Sequence, residues 1–197
     1  MINIPELVAR GQQFGLTRSD QVLETFSGRD ISIINRQAFW SFNIPIVPRS
    51  SEEAKEWRAA LAQLASVTNT FKASPPAFTQ TAYSANGGNL ISVNGANQLG
   101  RNLSYKYASP SAHVFKVGEY FEVNNELKIC VANSFASSGG IGSVTFEPAL
   151  RYSPADDQSI IINQPKATFR LAVPVGGWSV SPNKIHTFNI QAVESYT

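Results

Sequence analysis

The chain holds one cysteine, two histidines and one methionine in 197 residues, and only 15% of it is charged. A single cysteine, Cys130, excludes an intrachain disulfide. Its place in an apolar run with Leu127 and Ile129 predicts a buried, inert thiol. A disulfide-free fold suits synthesis in the cytoplasm. His113 and His186 stand far apart, and no spacing of His, Cys and carboxylate gathers the three or four ligands of a zinc site. No metal and no cofactor is expected. There is no run of 18 apolar residues, so no membrane-spanning helix is expected. Met1-Ile2-Asn3-Ile4-Pro5 lacks the charged start and apolar stretch of a signal peptide. The balance of 16 basic and 14 acidic residues is nearly even, and Arg101, Lys106 and Lys116 are too sparse for a nucleic-acid face.

Catalytic patterns are equally scarce. The acidic pairs Glu119/Glu122 and Asp156/Asp157 do not follow a calcium loop. Carboxylates three apart on a strand point to opposite faces, so these acids read as solvated strand and turn charges. Ser137–Gly142 is rich in glycine but lacks the lysine of a phosphate loop and precedes a strand; it reads as a flexible tip. With no catalytic constellation, the chain is not expected to be an enzyme.

What is abundant is strand grammar. Ile31, Ile33 and Asn35 share one parity, and Trp40, Phe42, Ile44 and Ile46 share another. Such alternation places one face against a core. Asn35-Arg36-Gln37 reads as the turn between them, and Pro45 and Pro48 as the end of the second strand. One helix is expected over about 51–65. Ser50-Ser51-Glu52-Glu53 forms a capping box, and Trp57, Ala60, Leu61 and Leu64 give an apolar stripe that packs on a sheet. Ser74-Pro75-Pro76 makes a corner, and 84–89 a loop. From Leu90 to Asn163 about five short strands read as a small barrel or sandwich, with a hairpin at Asn124-Asn125. Ala167, Phe169 and Leu171, then Phe188, Ile190 and Ala192, return to the alternating pattern.

The fold class predicted is therefore mainly β. A split β-sandwich or barrel domain (1–85 plus 166–197) carries the helix, and a small β module (86–165) is inserted in it. Tyr83, Tyr105 and Tyr107 are candidates for stacking on a sugar or base, Tyr105 and Tyr107 sharing a face; cross-strand packing is the alternative use of these rings.

Three stretches carry a resemblance. One is Phe26-Ser27-Gly28-Arg29 with Gln37-Ala38-Phe39-Trp40-Ser41-Phe42. The second is Trp57-Arg58-Ala59-Ala60-Leu61-Ala62-Gln63-Leu64, followed by Asn69-Thr70-Phe71 and Pro75-Pro76. The third runs from Phe115–Phe121 through Phe146-Glu147-Pro148-Ala149-Leu150-Arg151 to Val175-Gly176-Gly177-Trp178-Ser179. In order and spacing over about 25–195 the chain resembles small tail proteins of tailed bacteriophages and prophages, the distal tail proteins of the tail tip or baseplate. The resemblance implies a structural virion protein, assembled in the host cytoplasm. It further implies a homohexameric ring that connects the tail tube to the baseplate hub, with the inserted module at the periphery. A carbohydrate-binding or host-adhesion module, with a host glycan as partner, is the alternative reading. No nucleic-acid or membrane partner is expected.

Overall fold

The computed structural model describes residues 4, 13–18, 21–24, 30–33, 38–48, 50–64, 68–75, 91–107, 113–174, 177, 179–181 and 186–196, with only the backbone of 21–24, 30–33 and 113. The turn expected at Asn35-Arg36-Gln37, the loop 84–89, Tyr83, Pro76, the segment 26–29 and Trp178 lie outside these residues.

The protein is mainly β, with a single α-helix among the described residues. Its first sheet is antiparallel and six-stranded. In spatial order it runs β1 (Gln13–Thr17), β4 (Phe39–Ile46), β15 (His186–Glu194), β13 (Ala167–Leu171) and β5 (Thr70–Ala73), with the short β14 (Ser179–Val180) pairing β15. Its strands thus come from both ends of the chain. Alternation builds it: Trp40, Phe42, Ile44 and Ile46 are buried on β4, and Phe188, Ile190 and Ala192 on β15. Helix α1 (Ser51–Gln63) lays Trp57, Leu61 and Leu64 into the same core, with Phe71, Phe169 and Leu171. Its amino terminus closes as expected, the Glu53 amide donating to Ser50 Oγ at 3.1 Å.

One expectation changes here. Pro45 does not end its strand but lies inside β4, opposite Asn189 of β15. The described β1 pairing reaches only Gln13↔Asn43, so Pro45 sits where one side of β4 has no described neighbour and its missing N–H costs no ladder bond. Phe14 and Leu16 of β1 also pack on the core.

The second sheet is antiparallel and five-stranded, in the order β6 (Ile91–Val93), β7 (Gly100–Tyr107), β12 (Ile141–Leu150), β10 (Glu126–Cys130) and β9 (Tyr120–Val123). The pair β8 (His113–Phe115) and β11 (Ser134–Phe135) packs beside it, and β2 (Gln21–Glu24) pairs β3 (Asp30–Ile33) separately. The sheet curls around its own core of Leu103, Tyr105, Phe115, Phe121, Val144 and Phe146. Residues 158–161 span the gap between its two edges: Val93 N donates to Gln158 O at 2.9 Å, and Glu122 and Ile161 exchange two bonds of 2.8 Å. Both edges are thereby partly covered. Asn124 and Asn125, with φ of 53° and 60°, close β9 onto β10 as expected.

Candidate functional site

Tyr105 and Tyr107 were expected to offer stacking faces, and the structure separates them. Tyr105 is fully buried. Its ring meets Phe115 edge-on at 5.3 Å, and its hydroxyl shares a 2.7 Å hydrogen bond with Ser134 Oγ. Burial raises the phenol above its ordinary value of 10.0, against the Ser134 bond. Tyr105 is therefore a core residue with no ring face to present; the inward parity of β7 claims it.

Tyr107, one full pleat on, is half-buried against the same core. It lines a cavity of about 400 Å3 with Ser92, Asn94, Lys106, Gly140 and Ile141. Chain geometry makes this cavity. The amide of Tyr107 donates to Gly140 O at 2.6 Å, and Gly140 takes a φ of 74°. A Cβ on Gly140 would stand 2.5 Å from the Tyr107 carbonyl oxygen, so only glycine permits this approach. The tip 137–142, read from sequence as flexible, is tied by Ser137 N to Ile141 O at 2.8 Å and Gly140 N to Ser137 O at 2.9 Å. At the rim, Lys106 Nζ donates to Asp156 at 3.1 Å and to Asp157 at 2.7 Å. These bonds, Asp157 first, raise the ammonium above its ordinary value. The Gly95 amide at 2.7 Å, and then Lys106, lower the Asp156 carboxyl.

The junction between the two sheets is the other concentration of chemistry. Leu127 of β10 lies in the core of the first sheet, and Tyr120 and Ile129 pack against that core. Trp40 stacks on Phe14 at 5.0 Å, meets Tyr120 at 5.7 Å, and donates its indole N–H to the Leu127 carbonyl at 2.8 Å. Around this apolar centre runs a polar girdle. Lys128 is 0% exposed; it donates to Glu126 at 2.6 Å and to Ala149 O at 3.1 Å. Desolvation lowers its pKa from the ordinary lysine value, and Glu126 opposes the shift. Glu194 accepts from the Trp40 amide at 2.9 Å and from the Tyr196 hydroxyl. Burial raises its carboxyl above the ordinary value, those two hydrogen bonds opposing. Arg151 reaches across the units to the Ala38 carbonyl at 2.5 Å, with its guanidinium 3.1 Å from the centre of the Tyr196 ring and 3.9 Å from Glu194. Elsewhere on the boundary, Lys72 bonds Glu122 at 3.3 Å, and Glu147 pairs with Arg18 at 3.3 Å and Arg101 at 3.1 Å.

The remaining candidates fall into place. Cys130 is buried, and burial raises its thiol; the sulfur donates to Ala132 O at 2.9 Å. His186 stacks on Phe188 at 6.4 Å. Glu119 and Glu122 do not act together, but Glu122 is not a solvated charge: it is buried, bonded to Lys72 and to the Lys166 amide at 2.9 Å. Asp156 and Asp157 are exposed turn charges as expected. Among the described residues no group of three or more His, Cys, Asp or Glu could hold a metal ion, and no helix is long and apolar enough to cross a membrane.

Sequence reasoning missed the junction. Its signal was present at one position, where Glu194 stands on the buried parity of Phe188, Ile190 and Ala192; Glu126 and Lys128 alternate with Leu127 and Ile129 as in any half-exposed strand and gave none. A charge on an apolar parity marks a buried pair rather than a solvated one. No family model and no curated protein matches this chain.

Proposed function

We propose that the protein is a non-enzymatic structural subunit of a phage tail tip or baseplate, a distal-tail-like ring component that joins the tail tube to the hub. The observation that carries this reading is the split architecture. Strands from both ends of the chain share one sheet with the helix, and the intervening strands build a second curled sheet that meets it at Trp40, Leu127 and Arg151. The stretches that resemble tail proteins fall on these elements: Phe39–Phe42 on β4, Trp57–Gln63 on α1 with Leu64 as its carboxyl cap, and Phe146–Leu150 on β12. A sheet whose outer strands β1 and β5 have no further described neighbour suits a molecule whose edges are covered by copies of itself. A closed ring needs two different patches that meet head to tail, and the two ends of one sheet are such patches.

Light scattering across concentration tests the ring, and a species near six times 21.4 kDa is expected. Copurification with tails tests the location, and the protein is expected in the virion. A strictly monomeric protein at high concentration that also fails to copurify with tails overturns the reading.

A further inference from the structure

We propose that the outer face of the first sheet, turned away from helix α1, is a binding site for an acidic oligosaccharide. Strand register builds this face. Gln13 of β1, Asn43 of β4 and Gln191 of β15 stand directly opposite one another, on the parity that alternates with the core-facing Phe14, Phe42 and Ala192. Three carboxamides thus lie in one row across three strands, about 10 Å from end to end. Arg170 of β13 stands opposite Val193, so it continues the row onto a fourth strand, diagonal to Gln191. Two cavities adjoin over this row, of about 520 and 500 Å3, with Ala172 and Val193 in the lining of both. Each lies within the roughly 300–1,000 Å3 of small-molecule clefts. Gly15, opposite Ser41, leaves the floor of the first cavity without a side chain. Phe39 lines the second; it is half-buried, on the outer parity of β4, and meets no other aromatic ring among the described residues.

The polar groups of the row are unused. Among the described residues the side chains of Gln13, Asn43, Gln191 and Arg170 make no hydrogen bond and no ion pair, and Asn43 Oδ1 is shielded from water as well. Carboxamides both donate and accept, as sugar hydroxyls do, and Phe39 with Val193 offers apolar surface to the C–H face of a ring. An apolar ligand would leave the carboxamides desolvated and unpaired, at a cost. The backbone beneath the row is already paired between strands, so a peptide strand has no ladder to join on this face. Charge then selects the acid. Among the described residues Arg170 is the one cation lining either cavity and Glu194 the one carboxylate. Glu194 stands on the core parity and is held by the Trp40 amide and the Tyr196 hydroxyl. The groove therefore offers an unanswered guanidinium, whose planar fork takes a carboxylate in two parallel bonds. One cation is too few for a nucleic-acid backbone. The inference does not rest on the tail reading, since ring formation is measured by mass and this site by the heat of binding.

The test is calorimetric titration of the full chain with digalacturonate, a glucuronate–N-acetylglucosamine disaccharide and sialyllactose, each beside its carboxyl methyl ester. At least one acid is expected to bind saturably, and its ester about tenfold more weakly, the loss of one charge-assisted bond. Arg170→Gln, at an exposed position, is expected to bring the acid level with its ester, whereas Gln191→Ala should weaken both alike, about fivefold. Gly15→Tyr should abolish binding by filling the groove. A Cβ at Gly15 meets no atom within 4 Å, and its φ lies outside the left-handed region, so this variant is expected to fold and to keep its mass in light scattering. No saturable binding of any acid overturns the proposal, as does equal affinity for acid and ester or binding unchanged in Gly15→Tyr. A changed mass in Gly15→Tyr would mark the face as a contact between copies of the chain and overturn it too.

Discussion

Single residues carry contributions of very different sizes here, and burial decides which. Trp57 is fully buried in the helix–sheet core, so Trp57→Ala is expected to cost about 3–5 kcal/mol in denaturant unfolding. Ser50→Ala removes one acceptor from an exposed helix end and should cost only about 1 kcal/mol in the same measurement. Lys128 tests a different principle. Lys128→Met leaves the Glu126 carboxylate buried without its counter-charge and should cost about 3–5 kcal/mol, whereas Lys128→Met with Glu126→Gln should recover most of that. Glu194 gives a pH signature. Burial holds its carboxyl above the ordinary 4.5, so the folded chain binds that proton more tightly than the unfolded chain does. Stability contributed by this group is therefore full below the ordinary value and lost as pH rises through the raised one. The melting temperature of Glu194→Gln is expected to gain on the wild type as pH rises through that window; a constant difference would contradict the assignment.

At the scale of elements, the hairpin between β9 and β10 is the clearest case of sequence dictating geometry. Asn124 and Asn125 both take positive φ, which asparagine tolerates and β-branched residues do not. Asn124→Val should therefore destabilise by about 1–2 kcal/mol, while Asn125→Gly should be nearly neutral; equal melting temperatures for the two variants would sink the argument. The elements that sequence revealed were those with a local cause. The helix had its cap and its 3, 4, 7 stripe, β4 and β15 their strict alternation, and this hairpin its two asparagines. What stayed hidden depended on partners distant in the chain. Pro45 looks terminal until the short reach of β1 is known, and Tyr105 looks available until Phe115 and Ser134 close over it. The cavity at Tyr107 was half legible: the tyrosine was named, but Ser92 and Asn94 come to it only through the pairing of β6 with β7.

For the molecule as a whole, the question is whether two curled sheets behave as one body. Domains joined by a flexible tether share few contacts and melt apart. Here Leu127 sits in the opposite core, and Trp40 bonds its carbonyl. Arg151 spans from the second sheet to Ala38 and Tyr196 of the first. Opening this junction would expose apolar surface from Trp40, Phe14, Tyr120 and Ile129 and strand the charges of the girdle, so neither sheet can release the other cheaply. The two sheets are therefore expected to unfold together, as one transition in which calorimetric and van't Hoff enthalpies agree. Arg151→Ala combined with Trp40→Ala removes both the cross-unit cation and the central ring, and should split that transition in two. The second sheet, whose core of Phe115, Phe121 and Phe146 is its own, should account for the separate step. Two transitions already present in the wild type would show instead that the junction is a contact surface and not a lock, and the second sheet would then swing on the first rather than stand fixed to it.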